Sequence, residues 1–344
     1  MEDSYTYSPD SFDLEIKWVG SCIFVVSIMY TFLISRLTIV PPTIPTMIAP
    51  PDPKRTLRLR SMHADLENRK RRIARTPFPL LDLPPELGLL ILSHTAEWPE
   101  TFANLALVSR KIQGMAYEAC LPRMPIRLIS EVHVQSFDKF LLCKPHLAAY
   151  VQHLWVTPLH EEYYPAAIRI LKKCKRVVSL ALNGRVLEEA VTSPHVGYRI
   201  RHKRCRKLTL LYTARDGWAS LLSSEFPGQG SALQFMQQIT HLRLVGDVVP
   251  AHLPLPSLRV FSYALNRNNL NLVHGERMLK DKESLPSLHS VVLVGERRAG
   301  VGGVRITKMK DSRVFVFEVP QARTELEMWC DNTLGKGFWQ ICAD

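Results

Sequence analysis

Short cysteine pairs are absent from this sequence of 344 residues. Its seven cysteines contain no C-x-x-C pair and no regular spacing. An odd, scattered set argues against a disulfide framework and against a zinc ribbon, so we expect reduced thiols. An N-x-S/T sequon is also absent, which is consistent with a cytosolic main body. The cysteines are Cys22, Cys120, Cys143, Cys174, Cys205, Cys330 and Cys342.

Complete frames for catalysis or for phosphate binding are also missing. His160 and Glu161 lack the second histidine that a zinc-protease helix carries at the next turn. The glycine-rich residues 300–303 are not followed by Lys-Ser/Thr, and residues 228–231 have neither a nucleophile-elbow frame nor an evident base. The sequence therefore predicts a protein that is not an enzyme, with no cofactor and no metal site.

Positive charge is confined to two segments. The chain has a formal net charge of +12, which invites a nucleic-acid or anionic-membrane interpretation. Residues 54–75 carry nine Lys/Arg against two acids, and residues 199–207 carry six with no acid. The rest of the chain is close to neutral. Residues 199–207 are the better nucleic-acid candidate, but because only Tyr198 interleaves as an aromatic residue, a nucleic-acid surface there is a weaker prediction than a solvated loop.

An uncharged apolar run of eighteen residues, 18–35, lies near the N-terminus. As a helix it would span about 27 Å, close to the roughly 30 Å of membrane hydrocarbon. The charged residues before it are mostly acidic, unlike the basic start of a cleaved signal peptide. Residues 1–40 are therefore predicted to hold a transmembrane helix, with the main body cytoplasmic because the following segment is basic. The alternative is a buried or disordered extension on a cytoplasmic or nuclear protein.

Residues 41–76 form a proline-rich linker followed by the first basic segment. Six prolines between residues 41 and 53 favour a stiff, extended chain. Beside a membrane helix the basic segment would lie against anionic headgroups. Without one it could be a nuclear-import signal or a solvated helix.

Two amphipathic helices are predicted immediately after this linker. Pro84 and Pro85 suit a helix start, because proline presets φ and its missing N–H has no intrahelical acceptor in the first turn. Apolar residues then recur at helical spacing on both helices, and two such stripes need a partner or a neighbouring domain to bury them. The stripes are Leu87, Leu90 and Ile91 on the first helix, and Leu105, Val108, Ile112, Met115 and Ala116 on the second.

This pattern resembles the F-box family and covers residues 77–124. The resemblance implies a small helical adaptor module that docks onto a Skp-type adaptor, which a cullin scaffold carries within a ubiquitin ligase. This chain has Ile112 where many members have tryptophan. Alternatively, these are ordinary core helices of a helical cap. The adaptor contacts implied by the resemblance are Leu83, Pro84, Leu87, Ile91, Leu92, Leu105, Val108 and Ser109.

Residues 125–344 repeat a pattern of apolar residue, two spacers, apolar residue, one spacer and apolar residue. Its period of 19 to 34 residues is close to that of leucine-rich repeats, and Leu-Pro-Ser-Leu occurs at both 255–258 and 285–288. The alternative is a single α/β domain without solenoid curvature. The predicted strands centre on Leu154, Leu180, Leu208, Leu242, Phe261 and Val291.

The predicted fold class is therefore α/β, with an N-terminal apolar helix, a small all-α F-box and an irregular leucine-rich-repeat-like solenoid with a parallel sheet. Residues 77–344 resemble fungal F-box-like proteins with degenerate repeats. In the C-terminal tail, Trp329 and Trp339 are predicted to be core or capping residues that cover the last repeat.

The leading functional hypothesis is a substrate-recognition subunit of an SCF-type ubiquitin ligase that binds an unknown protein target. A repeat-based scaffold without a ligase is the second hypothesis, and a nucleic-acid-binding protein is the third.

Overall fold

The computed structural model describes ten stretches of the chain: residues 80–192, 200, 202–213, 215–222, 230–246, 249–250, 252–265, 270–297, 305–309 and 311–341. The predicted membrane helix at 18–35, the linker and the first basic segment lie outside the described residues. Among the described helices, none has the length and apolar character needed to cross a membrane.

Three helices precede an alternation of strands and helices. Pro85–His94 forms α1, Pro99–Val108 forms α2 and Arg110–Cys120 forms α3. The strands are β1 (Pro125–Leu128), β2 (His153–Val156), β3 (Ser179–Leu182), β4 (Lys207–Leu210), β5 (His241–Leu244), β6 (Val260–Ala264), β7 (Ser290–Arg297), β8 (Arg305–Lys308) and β9 (Val314–Pro320). The later helices are α4 (Glu131–Cys143), α5 (Tyr164–Lys173), α6 (Gly184–Thr192), α7 (Arg215–Leu222), α8 (Gly230–Gln237), α9 (Leu270–Lys280), α10 (Glu325–Thr333) and α11 (Phe338–Ile341).

In the described part of the chain these strands form one nine-stranded sheet. Strands β1 to β7 lie in chain order, followed by β9 and then β8. Neighbouring strands are parallel except for the β8–β9 pair, which is antiparallel. The prediction of an α/β domain with a parallel sheet is confirmed, and strands β2 to β7 contain the six predicted centres. Strands β1, β8 and β9 were not predicted.

The six predicted strand centres share one register across the sheet. Leu154 pairs with Leu180, Leu180 with Leu208, and the alignment continues through Leu242 and Phe261 to Val291. All six side chains are fully buried in the main hydrophobic core. A parallel sheet covered on both faces needs apolar residues at such positions, and this explains the recurrence of leucine. We call this aligned row the leucine ladder.

The three N-terminal helices share the core of the sheet domain. Phe102 of α2 packs against Tyr117 of α3 with ring centroids 6.0 Å apart, and Tyr117 packs against Phe140 of α4 at 6.3 Å. The same apolar cluster includes the leucine ladder. Residues 80–124 are therefore anchored to the sheet domain by a continuous core.

The opposite face of the sheet is covered by α10 and α11. Trp329 packs edge-on against Trp155 of β2 with centroids 5.6 Å apart, and Trp339 packs against His241 of β5 at 5.2 Å. The prediction that both tryptophans are core residues is confirmed, since both are buried. The prediction that they cover the last repeat is wrong for Trp329, which lies over β2 and β3. Trp339 lies over β5 and joins a cluster that includes Val292 and Val294 of β7, the strand of the last predicted repeat.

Gly184 is required where α6 begins, because a neighbouring loop passes close to it. Its N–H donates to the carbonyl of Tyr212 at 2.7 Å, and a Cβ would lie 2.5 Å from that oxygen. Gly184→Ala is expected to lower the free energy of unfolding by about 1–3 kcal/mol in urea denaturation, because backbone must move. Gly114→Ala is the matched control: no atom lies within 4 Å of its Cβ, and alanine should stabilise α3 by up to about 1 kcal/mol. Equal effects at the two positions would contradict this account.

Candidate functional site

Helix α1 starts as the sequence predicts. Pro84 is its N-cap residue, with φ of −48° and ψ of 137°, and proline occupies the first turn. The Pro84 carbonyl accepts hydrogen bonds from the N–H groups of Leu87 at 3.0 Å and Gly88 at 3.1 Å. Glu86 lies in the first turn, where a carboxylate complements the helix dipole. These features fix the direction in which α1 presents its side chains.

One stripe of α1 is apolar and open to solvent. Leu87, Leu90 and Ile91 expose 48%, 53% and 42% of their surfaces. Their spacing of three and four residues places them on one helical face. We call these three residues the α1 stripe. Single exposed aliphatic side chains are ordinary, but three adjacent ones on one face of a helix indicate a contact surface.

The opposite side of α1 packs against α3. A Cβ at Gly88 would lie 2.8 Å from the Met115 methyl group, so the helices approach closely there. The Cys120 thiol donates to the Leu92 carbonyl at 3.1 Å. Burial raises the pKa of that thiol, which keeps it protonated in this role. Because α1 is held on this side, the α1 stripe faces away from the protein.

Helix α2 contributes a second exposed apolar group at its C-terminal end. Phe102, Ala103 and Ala106 are buried against the core, whereas Leu107 and Val108 are exposed, Val108 by 64%. We call Leu107 and Val108 the α2 end. Since α2 packs on α3, as α1 does, one rigid unit carries both exposed groups.

The predicted contact residues divide into three groups in the structure. Pro84, Leu87, Ile91, Val108 and Ser109 are exposed. Leu83 and Leu105 are half-buried, and Leu105 packs against the main core. Leu92 is buried on the α3 side of α1, so we exclude it from the contact surface. Ser109 has a structural role as well, since its hydroxyl accepts a hydrogen bond from the Ile112 N–H at 3.2 Å and caps α3.

Within residues 80–124, the large exposed apolar residues that the predicted contact set omits are Leu81, Leu90, Trp98 and Leu107. Leu90 was recognisable from its helical spacing with Leu87. The exposure of Leu107 depends on how α2 packs against α3, which the sequence pattern does not specify.

The second basic segment contributes less positive surface than its composition suggests. His202 and Cys205 are buried, and Lys207 is half-buried on β4. Lys203, Arg204 and Arg206 are exposed. Arg199 and Arg201 lie outside the described residues. Arg206 donates to the Gln238 carbonyl at 3.2 Å. Three exposed cations on a loop are a small surface for nucleic acid.

Side chains that could ligate a metal are dispersed over the described stretches. Within them, no three His, Cys, Asp or Glu side chains are grouped so that they could hold a metal ion.

Comparison with known proteins finds no matching family model, curated protein or solved structure.

Proposed function

We propose that this chain is a non-catalytic substrate-recognition subunit of an SCF-type ubiquitin ligase. Helices α1 to α3 bind a Skp-type adaptor, the adaptor joins the cullin scaffold, and the sheet domain binds a protein target. The observation that carries the proposal is the exposed α1 stripe directly after the Leu83-Pro84 element.

The energetics of the α1 stripe support a macromolecular partner. Three aliphatic side chains, each about half exposed, retain apolar surface that a partner could remove from water. Burying apolar surface contributes roughly 25 cal/mol per Å², so a few such side chains can supply much of an interface's central affinity. The α2 end adds two more aliphatic side chains.

The rigidity of the helical unit also supports the proposal. A ligase must hold its target at a fixed place relative to the transferring subunits. The aromatic contacts from Phe102 through Tyr117 to Phe140 join the docking helices to the sheet domain. The proposed degenerate repeats, in which each strand adds to the next in chain order, extend that rigid body away from the adaptor.

The same continuous core favours one alternative function. If α1 to α3 served only to cover the end of the sheet domain, the protein would be a repeat-based interaction scaffold with no ligase. That role explains the buried side of the helices but leaves the α1 stripe without a purpose.

A direct binding measurement tests the proposal. The full chain should bind a recombinant Skp-type adaptor, and Leu83→Ala combined with Leu87→Ala should weaken binding by about thirtyfold, because the interface loses two aliphatic contacts worth roughly 2 kcal/mol together. Titration calorimetry measures the change, and circular dichroism checks that the variant is folded.

The matched control removes two exposed aliphatic side chains elsewhere. Val132→Ala combined with Leu142→Ala changes two residues on α4 that are more exposed than Leu83 and Leu87, and should leave adaptor affinity unchanged. Failure of the unsubstituted chain to bind, or equal losses in both double variants, would reject the ligase proposal and favour the scaffold.

A further inference from the structure

The face of the sheet beneath α10 and α11 differs chemically from the face that carries the leucine ladder. Side chains alternate along each strand, so the residues next to the ladder point to this opposite face, which we call the second face. Its central row, in register from β2 to β7, consists of Trp155, Ala181, Thr209, Arg243, Ser262 and Val292. Polar residues thus occupy the middle of the row, and apolar residues its two ends.

Arg243 is a buried cationic residue at the centre of the second face. Only 3% of its side chain is exposed, and its guanidinium forms an ion pair with the Glu325 carboxylate of α10. The same guanidinium donates to the Ser262 hydroxyl at 3.3 Å. A buried cation requires a carboxylate partner, because desolvation would otherwise be strongly unfavourable. Any occupant of the second face must therefore bring an acidic residue to Arg243.

Two apolar contacts flank this ion pair. Trp329 packs with Trp155 and Ala181 in one small cluster. Met328 joins a second cluster with Val260 and Val292. Both clusters are separate from the main core. The contact thus has a polar centre with an apolar cluster on each side. Protein interfaces that form and separate have this composition, whereas the side of the sheet with the leucine ladder is continuously apolar.

The present occupant leaves several polar atoms of this contact without a partner. Trp329 Nε1, His153 Nδ1 and Ser290 Oγ are buried and make no hydrogen bond. His153 and Ser290 lie two residues before Trp155 and Val292 on their strands, so they share the second face. An unsatisfied buried polar group is unfavourable, because it has lost its hydrogen bonds to water. Of these atoms, His153 Nδ1 and Ser290 Oγ belong to the sheet, and an occupant that hydrogen-bonded both would bind the second face more favourably than α10 does.

Helix α10 carries its own N-terminal capping interactions. The Thr324 hydroxyl accepts from the Glu327 N–H at 3.2 Å, and the Glu327 carboxylate accepts from the Thr324 N–H at 2.9 Å. This reciprocal capping box stabilises a helix start without help from the sheet. Gln321 and Ala322, which connect α10 to β9, are exposed.

From these features we infer that the second face is a binding site for an acidic, tryptophan-bearing helix, which α10 fills in this structure and from which a target helix of the same chemistry displaces it. The ligand class is an amphipathic helix with a carboxylate four residues before a tryptophan, as in Glu325 and Trp329. This spacing places both side chains on one helical face. The inference rests on the proposed function only in assigning that helix to a target protein.

A cleavable chain tests this inference. A protease site inserted between Gln321 and Ala322 leaves the protein whole until cleavage, after which residues 322–344 are held by contacts alone. The probe is a fluorescently labelled peptide of residues 322–344. The cleaved protein should bind it in exchange for its own fragment, and the uncleaved protein should bind it at least about tenfold more weakly, because its tethered helix competes.

Reversing the charges of Arg243 and Glu325 tests whether their ion pair determines which peptide binds. Arg243→Glu in the cleavable chain should reduce peptide affinity at least about tenfold, and a peptide carrying Glu325→Lys should recover part of the loss. A peptide with Trp329→Ala should also bind at least about tenfold more weakly than the unchanged peptide. Peptide binding that is indifferent to all three changes would overturn the inference.

Hydrogen exchange on the intact chain keeps the inference testable if the cleaved protein unfolds. The amides of α10 should exchange through a local opening at least about tenfold faster than those of β3 to β5. Exchange of α10 at the same rate as the central strands would show a permanent layer and overturn the inference. Adaptor binding, measured on the same samples, is separate: its loss with peptide exchange intact contradicts only the proposed ligase role.

Discussion

Leu180→Ala is expected to lower the free energy of unfolding by about 3–4 kcal/mol. Leu180 lies in β3 between Leu154 and Leu208 of the leucine ladder and is fully buried. Truncation removes apolar contacts and leaves a cavity that the rigid strands on either side cannot close, which places the cost toward the upper part of the 2–5 kcal/mol range for buried leucines. Urea denaturation followed by circular dichroism measures the change.

The control for this substitution is the same change at an exposed site. Leu142→Ala on α4 removes an equal side chain that is mostly in solvent and should change stability by less than about 0.5 kcal/mol. A loss below about 1 kcal/mol at Leu180 would mean that the ladder is not the centre of the fold. An equal loss at both sites would instead point to effects on the unfolded chain.

The leucine ladder was predictable because its spacing is local. Each repeat places apolar residues before and within a short strand, as at Val177, Leu180 and Leu182. This spacing can be recognised whatever the length of the loops between the strands. Strand β1 lacks the first apolar residue, since Arg123 stands three residues before Ile126. Strands β8 and β9 form an antiparallel pair outside the repeated pattern, so no spacing identified them.

The candidate docking site was predictable in part for the same reason. Leu87 and Ile91 follow helical periodicity, and periodicity identified the exposed stripe. The burial of Leu92 depends on which side of α1 meets α3, and that is a tertiary property. For the cover over the second face, the burial of Trp329 and Trp339 was predictable, but the strands on which they pack were not, because sequence 324–332 does not specify the surface that its helix meets.

Acidification from pH 6.5 to pH 4 is expected to destabilise the protein by several kcal/mol. His153 and His241 lie on the second face, and burial lowers the pKa of each from 6.5 to about 4. The positive charge of Lys207, between them in the sheet, is the second cause of both lowered pKa values. Lowered pKa values mean that the folded protein resists protonation that the unfolded chain accepts.

The sign of the effect follows from proton binding. Well above pH 6.5 both histidines are neutral in the folded and the unfolded states, so their contribution to stability is complete. Between pH 6.5 and pH 4 the unfolded chain binds protons that the folded protein does not, and stability falls with pH. Each histidine contributes at most about 3 kcal/mol by pH 4. Carboxylates contribute at lower pH, because ion pairing and hydrogen bonding to Arg313 hold the pKa of Asp311 at about 2.

Replacing both histidines isolates their contribution. The double variant His153→Gln and His241→Gln should keep less than half of the loss in unfolding free energy between pH 6.5 and pH 4, measured by urea denaturation at several pH values. Buried His202, whose pKa burial also lowers, accounts for part of the remainder. An unchanged pH dependence would show that the second face admits water to these rings. Since Trp339 packs directly on His241, such access would in turn require α11 to separate from the sheet, linking acid sensitivity to the cover itself.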